Sequence, residues 1–359
     1  MPIANIELRP CTQRMSDTQW KFARAAIPQV QGVIILLSDE NGCTGTGYAP
    51  ASAFTGATLD SVMKILEFLT PVLKGADPLH ISASLAGLNR RLPGHPNEVA
   101  GIDLALHDLA ARRLGVPIHI LLGGKRRDVL QVSRLLSLKA PGEMAEVAIR
   151  LTGEGYRSLK VKLSGERDLD VARVAAVRTA VGPSVKLTVD ANEAYSAKGM
   201  MAAFSRMEQY DIALIEQPVP GPDWAGLKLL TANLPTVIEA DESADSLASI
   251  MRLVQEHVVD SVNLRIGRLG GIANFLAAAR ICELGGVSYR MGTVFGPAIV
   301  PAMIAQAAST LNRMDFACEL GEHLQFLDDP FTPVKVENGS LAVSDLPGCG
   351  IELARETPA

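Results

Sequence analysis

The chain has 359 residues, 48% of them hydrophobic and 20% charged, with a formal net charge of −5. That composition excludes a disordered chain and gives room for a large core and more than one domain. An acidic balance, only 4% aromatic residues and no basic run interleaved with aromatics argue against nucleic-acid binding.

No apolar run reaches membrane-spanning length, and residues 1–7 carry neither a basic nor an apolar leader, so neither a membrane partner nor secretion is expected. The cysteines (Cys11, Cys43, Cys282, Cys318 and Cys349) are odd in number and lack paired spacing. They read as reduced thiols of a cytoplasmic protein, not as a disulfide frame or a zinc site.

Residues 1–10 and 31–38 read as strands, and Asp39-Glu40-Asn41-Gly42 as a hairpin turn into 43–48, which together predict a small antiparallel sheet. Between the first two strands lies a polar segment, 13–26, with Met15 and Trp20; it reads as a mobile loop. A second loop, 49–56, carries Phe54. Helical periodicity covers 58–73 and 97–114. In the second helix Val99, Ile102, Leu106, Leu109 and Ala110 form one stripe, and Gly115-Val116-Pro117 ends it.

From about residue 125 apolar strand runs alternate with helical stretches. The strands fall at 129–137, 157–163, 185–190, 212–217, 236–241, 260–266, 287–293 and 314–320, and all but the last precede a helical pattern. Repeated βα units of this length predict a parallel sheet, and eight predict a closed barrel. The competing architecture is an open doubly wound sheet, although no G-x-G-x-x-G follows the first strand. Residues 331–359, with a turn at Glu337-Asn338-Gly339, are expected to return to the N-terminal sheet.

The strand at 157–163 places Ser158, Lys160 and Lys162 on one face and Leu159, Val161 and Leu163 on the other. One reading is a solvated edge strand whose lysines deter pairing with other chains. The other is a functional pair about 7 Å apart along one strand face, whose repulsion lowers both pKa values. The downstream strand ends favour the second. Asp190, Glu216 and Asp241 end three consecutive strands at spacings of 26 and 25 residues. A single such acid is commonly a helix N-cap. Three in consecutive units bring three carboxylates together, and these repel unless a cation joins them.

An all-oxygen ligand set suits a hard divalent ion, Mg²⁺ or Mn²⁺. Lysines beside such an ion suit removal of the α-proton from a small carboxylate, whose developing negative charge the cation holds. Lys162 is the expected base, and Lys160 is expected to face the substrate carboxylate. Arg265 ends the sixth strand.

With these features goes a run of motifs: Gly101-Ile102-Asp103-Leu104-Ala105-Leu106-His107-Asp108-Leu109, Leu121-Leu122-Gly123-Gly124, Asp190-Ala191-Asn192, Glu216-Gln217-Pro218, Asp241-Glu242-Ser243, Gly270-Gly271 and Pro347-Gly348-Cys349-Gly350. Across nearly its whole length the chain resembles the enolase superfamily, and within it the muconate-lactonizing subgroup. The resemblance implies an α/β fold in which a modified (β/α)₇β TIM barrel (125–325) lies under an N-terminal α+β capping domain (1–124) completed by the C-terminal segment (326–359). It also implies Mg²⁺, a homo-oligomer (dimer or octamer), Asp190, Glu216 and Asp241 as metal ligands and Lys162 as the acid/base.

The candidate substrate-binding residues are Asn192, Thr293 and Glu319, with Trp20 and Phe54 from the cap loops; read alone, the two aromatics are more commonly packing residues. Glu319 matches a glutamate of muconate-lactonizing enzymes, as a pocket carboxylate or a barrel-end partner of Arg265. The chain departs from the subgroup at Arg265, where a second acid/base lysine is usual. Arginine does not deprotonate near neutral pH, so a one-base outcome, cycloisomerisation or syn elimination, is expected ahead of racemisation or epimerisation. A non-catalytic metal- and carboxylate-binding barrel is the reading from another class. By strand parity and the family match Arg268 is expected at the surface. No histidine lies between His257 and His323, which disfavours a mandelate-racemase-like site, and no Asp-x-Asp stands near the eighth strand.

Overall fold

A computed structural model describes residues 1–52 and 56–354. β1 (Ile3–Arg14), β4 (Gln29–Asp39) and β5 (Thr44–Ala51) form the antiparallel sheet, with β4 in the centre. The turn is built as the sequence indicates. Asp39 Oδ1 accepts the N–H groups of Asn41 and Cys43 at 2.9 and 3.0 Å, and Gly42 supplies φ 80°. Strand alternation divides β4 between two cores: Val33, Ile35 and Leu37 pack in the cap, whereas Ile34 and Leu36 join the core shared with the barrel.

The segment expected as a mobile loop is a short hairpin, β2 (Lys21–Phe22) and β3 (Ala25–Ala26), tied to the barrel. The Lys21 N–H donates to Ser137 Oγ at 2.8 Å, and the Leu138 N–H to the Lys21 carbonyl at 2.9 Å. Beneath it Met15, Trp20, Phe22, Val30, Leu135 and Phe326 form a third apolar cluster.

Cap helices α1 (Leu59–Leu69), α2 (Ile81–Arg91) and α3 (Pro96–Leu114) follow. Thr58 and Ser61 close a capping box on α1; α3 opens on Pro96 and ends at Gly115, φ 70°. α3 is buried through most of its length because it lies between cap and barrel. β5 meets it backbone to backbone: a Cβ on Gly47 would lie 2.0 Å from the Gly101 carbonyl oxygen.

After α4 (Ile118–Leu121), the strand expected at 129–137 is two strands. β6 (Val129–Gln131) leaves the barrel, and β7 (Arg134–Leu136) enters it. The parallel sheet continues through β8 (Ser158–Lys162), β9 (Lys186–Asp190), β10 (Ile212–Glu216), β11 (Val237–Ala240), β12 (Ser261–Leu264) and β13 (Ser288–Met291). Between them run α5 (Pro141–Gly153), α6 (Arg167–Val181), α7 (Ala197–Met207), α8 (Trp224–Asn233), α9 (Leu247–Gln255), and the pair α10 (Ile266–Leu269) and α11 (Ile272–Leu284); α12 (Ile299–Ala308) follows β13.

The eighth position is held by a short segment at Cys318 rather than a strand over 314–320. Cys318 N–H donates to the Gln131 carbonyl and Ser133 N–H to the Cys318 carbonyl, both at 2.8 Å. Glu319 N–H donates to the Met291 carbonyl at 2.9 Å. These bonds close the ring, so the fold is the (β/α)₇β barrel and not an open sheet.

The C-terminal stretch turns at Asn338 and Gly339 between β14 (Val336–Glu337) and β15 (Ser340–Ala342), and β15 pairs with β6. It then returns to the cap and docks on α3: the Cys349 N–H donates to Asp108 Oδ1 at 2.7 Å. The other Asp108 oxygen accepts the Thr46 N–H from β5 at 2.9 Å, so one buried carboxylate joins sheet, helix and tail. Among the described residues no helix is long and apolar enough to cross a membrane.

Replacing Gly47 by Ala forces β5 and α3 apart. We expect a loss of about 1–3 kcal/mol in unfolding free energy, read by urea denaturation, against no such loss for Gly142→Ala in the exposed first turn of α5, where an added Cβ meets open space.

Candidate active site

β8 lies between β7 and β9 in the middle of the parallel sheet, which removes the edge-strand reading of its lysines. Parity places Ser158, Lys160 and Lys162 toward the barrel axis and Leu159, Val161 and Leu163 against the helical layer, and all six are buried. The register sets Lys162 beside Asp190 and Asp190 beside Glu216. Glu239 is the partner of Glu216 on β11, so Asp241 sits just past that strand.

Lys160 is fully buried among three carboxylates. Its Nζ is 3.0 Å from Asp190, 2.9 Å from Glu216 and 2.5 Å from Glu319. Burial would lower its pKa, but Asp190, Glu216 and Glu319 outweigh that and raise it. The lowering expected from repulsion by Lys162 is therefore overturned for Lys160, because the carboxylates stand closer. Lys162 Nζ donates to Asp190 Oδ2 at 2.6 Å and Asn192 Oδ1 at 2.8 Å, and lies 5.6 Å from the Phe22 ring centroid.

Burial opposes the charge on Asp190, yet Lys160 and Lys162 hold its pKa below the usual carboxylate range. Asp241 is held down in the same way, by Arg265 and Arg268. Glu216 goes the other way: burial and the charge of Asp190 raise it, to about 8, against the pull of Lys160 and Arg290.

Arg265 is the first residue past β12 and the N-cap of α10. Its Nε and Nη2 donate to Asp241 Oδ1 and Oδ2, each at 2.6 Å, and its Nη1 donates to the Thr293 carbonyl. Arg268, expected at the surface, is partly exposed but turns inward. One turn of α10 places it on the same face as Arg265, and it donates to the Asp241 carbonyl and, at 2.9 Å, to Asp241 Oδ1.

The site also holds residues that the sequence reading missed. Arg290 on β13 is fully buried; it donates to Glu239 at 2.8 Å and to Glu216, and its Nη1 lies 3.2 Å from Glu319. Asn263 on β12 donates to Glu216 Oε1 at 3.1 Å. The available signal was parity, since Arg290 and Glu239 are charged residues within otherwise apolar core strands, just as Lys160 is.

Of the remaining candidates, Asn192 sits at φ 41° beside Lys162, with Glu193 at 70° and Gln217 at 33° nearby. These are left-handed, non-glycine positions clustered where the acids emerge. Gln217 braces them: its Oε1 accepts the N–H groups of Asp241 and Ser243 at 2.9 and 3.1 Å. Glu319 pairs with Lys160 and Arg290. Thr293 presents its carbonyl to Arg265. Trp20 packs edge-on to Phe295, centroids 4.8 Å apart, with 2% of its surface exposed, so in this structure it is a packing residue one ring behind Phe22. Phe54 lies outside the described residues.

Asp190, Glu216 and Asp241 form an oxygen-only donor set, which suits a hard divalent ion. Glu242 Oε2, beside Asn192, is buried without a hydrogen-bond partner, which marks a place short of positive charge. As the side chains stand, no three carboxylate, histidine or cysteine side chains among the described residues are arranged to hold an ion. Lysine and arginine groups occupy the space between the acids.

A closed (β/α)₇β barrel under an α+β cap, with acids and bases at the strand ends, defines an enolase-type enzyme. Residues 6–123 match the mandelate racemase/muconate lactonizing enzyme N-terminal domain, and 143–357 match the enolase C-terminal domain-like family. The hydrophobic dipeptide epimerase of Enterococcus faecalis is 30% identical over 326 residues, 89% of this chain and 92% of that protein. The structure of the dipeptide epimerase from Enterococcus faecalis, complexed with Mg and the dipeptide L-Leu-L-Tyr, superposes with a TM-score of 0.93, 28% identity and coverage of 98% and 99% of the two chains. Muconate lactonizing enzyme from Pseudomonas fluorescens, complexed with muconolactone, gives 0.94, 30%, and 98% and 96%. The chain belongs to the mandelate racemase/muconate lactonizing enzyme family of the enolase superfamily. Its relatives are epimerases and cycloisomerases, and it is an enzyme of that isomerase group.

Lys160→Ala leaves Asp190, Glu216 and Glu319 buried without their shared cation. We expect a loss of about 3–5 kcal/mol, measured by urea unfolding in chelator-treated buffer at neutral pH.

Proposed function

We propose that the protein removes the α-proton of a small carboxylate with Lys162 as its one competent base, and that it is a cycloisomerase or a syn-eliminating dehydratase. The observation that carries this reading is the state of Arg265. It stands at the end of the sixth strand, where the subgroup places a second lysine. It holds both oxygens of Asp241 and the Thr293 carbonyl, and a guanidinium does not give up its proton near neutral pH. Proton traffic at a second face of the substrate then lacks a base.

Lys162 has the attributes the step needs. It is buried, oriented by Asp190 and Asn192, and roofed by the Phe22 ring, which keeps bulk water from its ammonium. Lys160 remains a fixed cation, suited to a substrate carboxylate as negative charge builds on it. Asp190, Glu216 and Asp241 would hold a divalent ion, Mg²⁺ or Mn²⁺, which when bound supplies positive charge to offset that developing charge.

The second reading, a two-face epimerase or racemase, is favoured by the 30% identity to a dipeptide epimerase. It requires a proton donor other than Arg265 on the second face. A barrel that binds metal and carboxylates without turnover is the third. The homo-oligomeric, cytoplasmic character of this reading rests on the family likeness and the cysteine pattern.

A panel of carboxylates incubated in D₂O with Mg²⁺ separates these. The one-base reading predicts α-proton exchange with retained configuration, reduced at least about 10³-fold in Lys162→Ala. Loss of chirality from both enantiomers would overturn it. No exchange with any substrate, while carboxylates still bind, would favour the third reading.

A further inference from the structure

We propose that Arg265, assisted by Arg268, is an internal competitor of the divalent ion: it occupies Asp241 and thereby weakens ion binding at this site. The inference rests on the reading of Asp190, Glu216 and Asp241 as ion ligands, and it concerns what this chain's own side chains do to them.

Each of the three carboxylates accepts several donors, but those on Asp241 all come from two arginine forks. Its Oδ1 takes Arg265 Nε at 2.6 Å and Arg268 Nη1 at 2.9 Å, and its Oδ2 takes Arg265 Nη2 at 2.6 Å. A carboxylate oxygen has two lone-pair sites, so Oδ1 is filled and Oδ2 has one left. The fork of a guanidinium matches both oxygens at once, whereas a lysine at this position would place one rotatable point charge there. Arg265 is itself anchored from behind by the Thr293 carbonyl, which limits its retreat when an ion arrives.

The neighbouring acids are also provided for. Lys160 bridges Asp190 and Glu216, and Arg290 bridges Glu216, Glu239 and Glu319. Asp190, Glu216 and Asp241 therefore already have cationic partners within the chain. An ion gains only the difference between its own attraction and that of the cations it displaces, and the displaced guanidinium must find other acceptors in a buried site. The rival role for Arg265 is to orient Asp241 toward the ion, as hydrogen-bonded neighbours of metal ligands often do. The two roles predict opposite signs.

The test is Mn²⁺ titration of the chelator-treated full chain, followed by the electron paramagnetic resonance signal of free Mn²⁺. The chains compared are wild type, Arg265→Met, Arg265→Lys, Arg268→Met and Glu216→Gln. Competition predicts that Arg265→Met binds Mn²⁺ at least about tenfold tighter than wild type. Arg265→Lys and Arg268→Met should fall between, and the rise in unfolding midpoint on adding Mn²⁺ should be larger in Arg265→Met than in wild type. Equal or weaker binding in Arg265→Met overturns the proposal. If that variant does not fold without the ion, Arg268→Met decides by the same sign. The ligand reading is checked separately: it stands if Glu216→Gln loses the binding that wild type has. It falls, and the competition with it, if Glu216→Gln binds as wild type does or no chain binds Mn²⁺ saturably.

Discussion

The barrel mouth depends on one arrangement, the ammonium of Lys160 held among Asp190, Glu216 and Glu319. Three carboxylates drawn from β9, β10 and the segment at Cys318 cannot share a water-poor interior without a counter-charge, because the desolvation cost of each is several kcal/mol. Lys160 supplies that charge from the second barrel strand, and Arg290 supplies more from the seventh. The surrounding geometry follows. β8 can carry two lysines through a buried sheet because its inward face meets acids. β9 and β10 can end on buried acids because β8 and β13 present cations. The strand ends are thus coupled through these charges as well as through their backbone ladders.

A second constraint holds the cap above this mouth. Asp103 and Asp108 lie on one helix, α3, and their carboxylates serve different partners. Asp108 accepts backbone N–H groups from β5 and from the C-terminal stretch. Asp103 accepts the Ile272 N–H at 2.6 Å, at the start of the barrel helix α11. Gly271, at φ 127°, is part of the same contact: a Cβ there would lie 2.4 Å from Asp103 Oδ2. α3 is thus tied from two positions near its middle, to the barrel through Asp103 and to the cap and tail through Asp108. The hairpin at 21–26 that roofs Lys162 adds its own contacts, through Ser137, Leu138 and the Asp17–Lys139 pair at 2.9 Å. Its placement follows from these bonds together with the apolar cluster of Trp20, Phe22, Leu135 and Phe326 beneath it.

Much of this was legible in the sequence, for physical reasons that also explain the gaps. Strand period 2 and βα spacing are local properties, so the faces of 157–163 and the emergence of Asp190, Glu216 and Asp241 on consecutive units could be read directly. The division of 129–137 into β6 and β7 could not, because it is set by pairing with Ser340–Ala342, more than 200 residues away. The hairpin at 21–26 was hidden by its polarity, since its fixing bonds use backbone groups that every sequence has. Arg290 and Glu239 were passed over because each alone breaks an apolar run, and only the pairing explains both. Arg268 was misplaced because α10 begins directly after β12, a change of period from 2 to 3.6 that turns it back over Asp241. The lysine pKa expectation for Lys160 failed at the same level: Lys162 is its neighbour in sequence, but its closest charges come from β9, β10 and the segment after Cys318.

Arg265 links two properties that are usually considered separately. Replacing a lysine by an arginine there keeps the formal charge and changes two things at once: whether the group can exchange a proton, and how many carboxylate oxygens it can hold in a fixed geometry. The first bears on which face of a substrate can be protonated. The second bears on how firmly Asp241 is committed before an ion arrives. Both act through the same two bonds to Asp241, so activity alone cannot tell them apart. A gain of turnover after restoring lysine would follow equally from a new base or from a better-filled ion site. At saturating ion, the face from which the α-proton exchanges reports the first, and ion titration reports the second, because exchange from a second face needs a titratable group there, whereas ion affinity needs a carboxylate with free lone pairs.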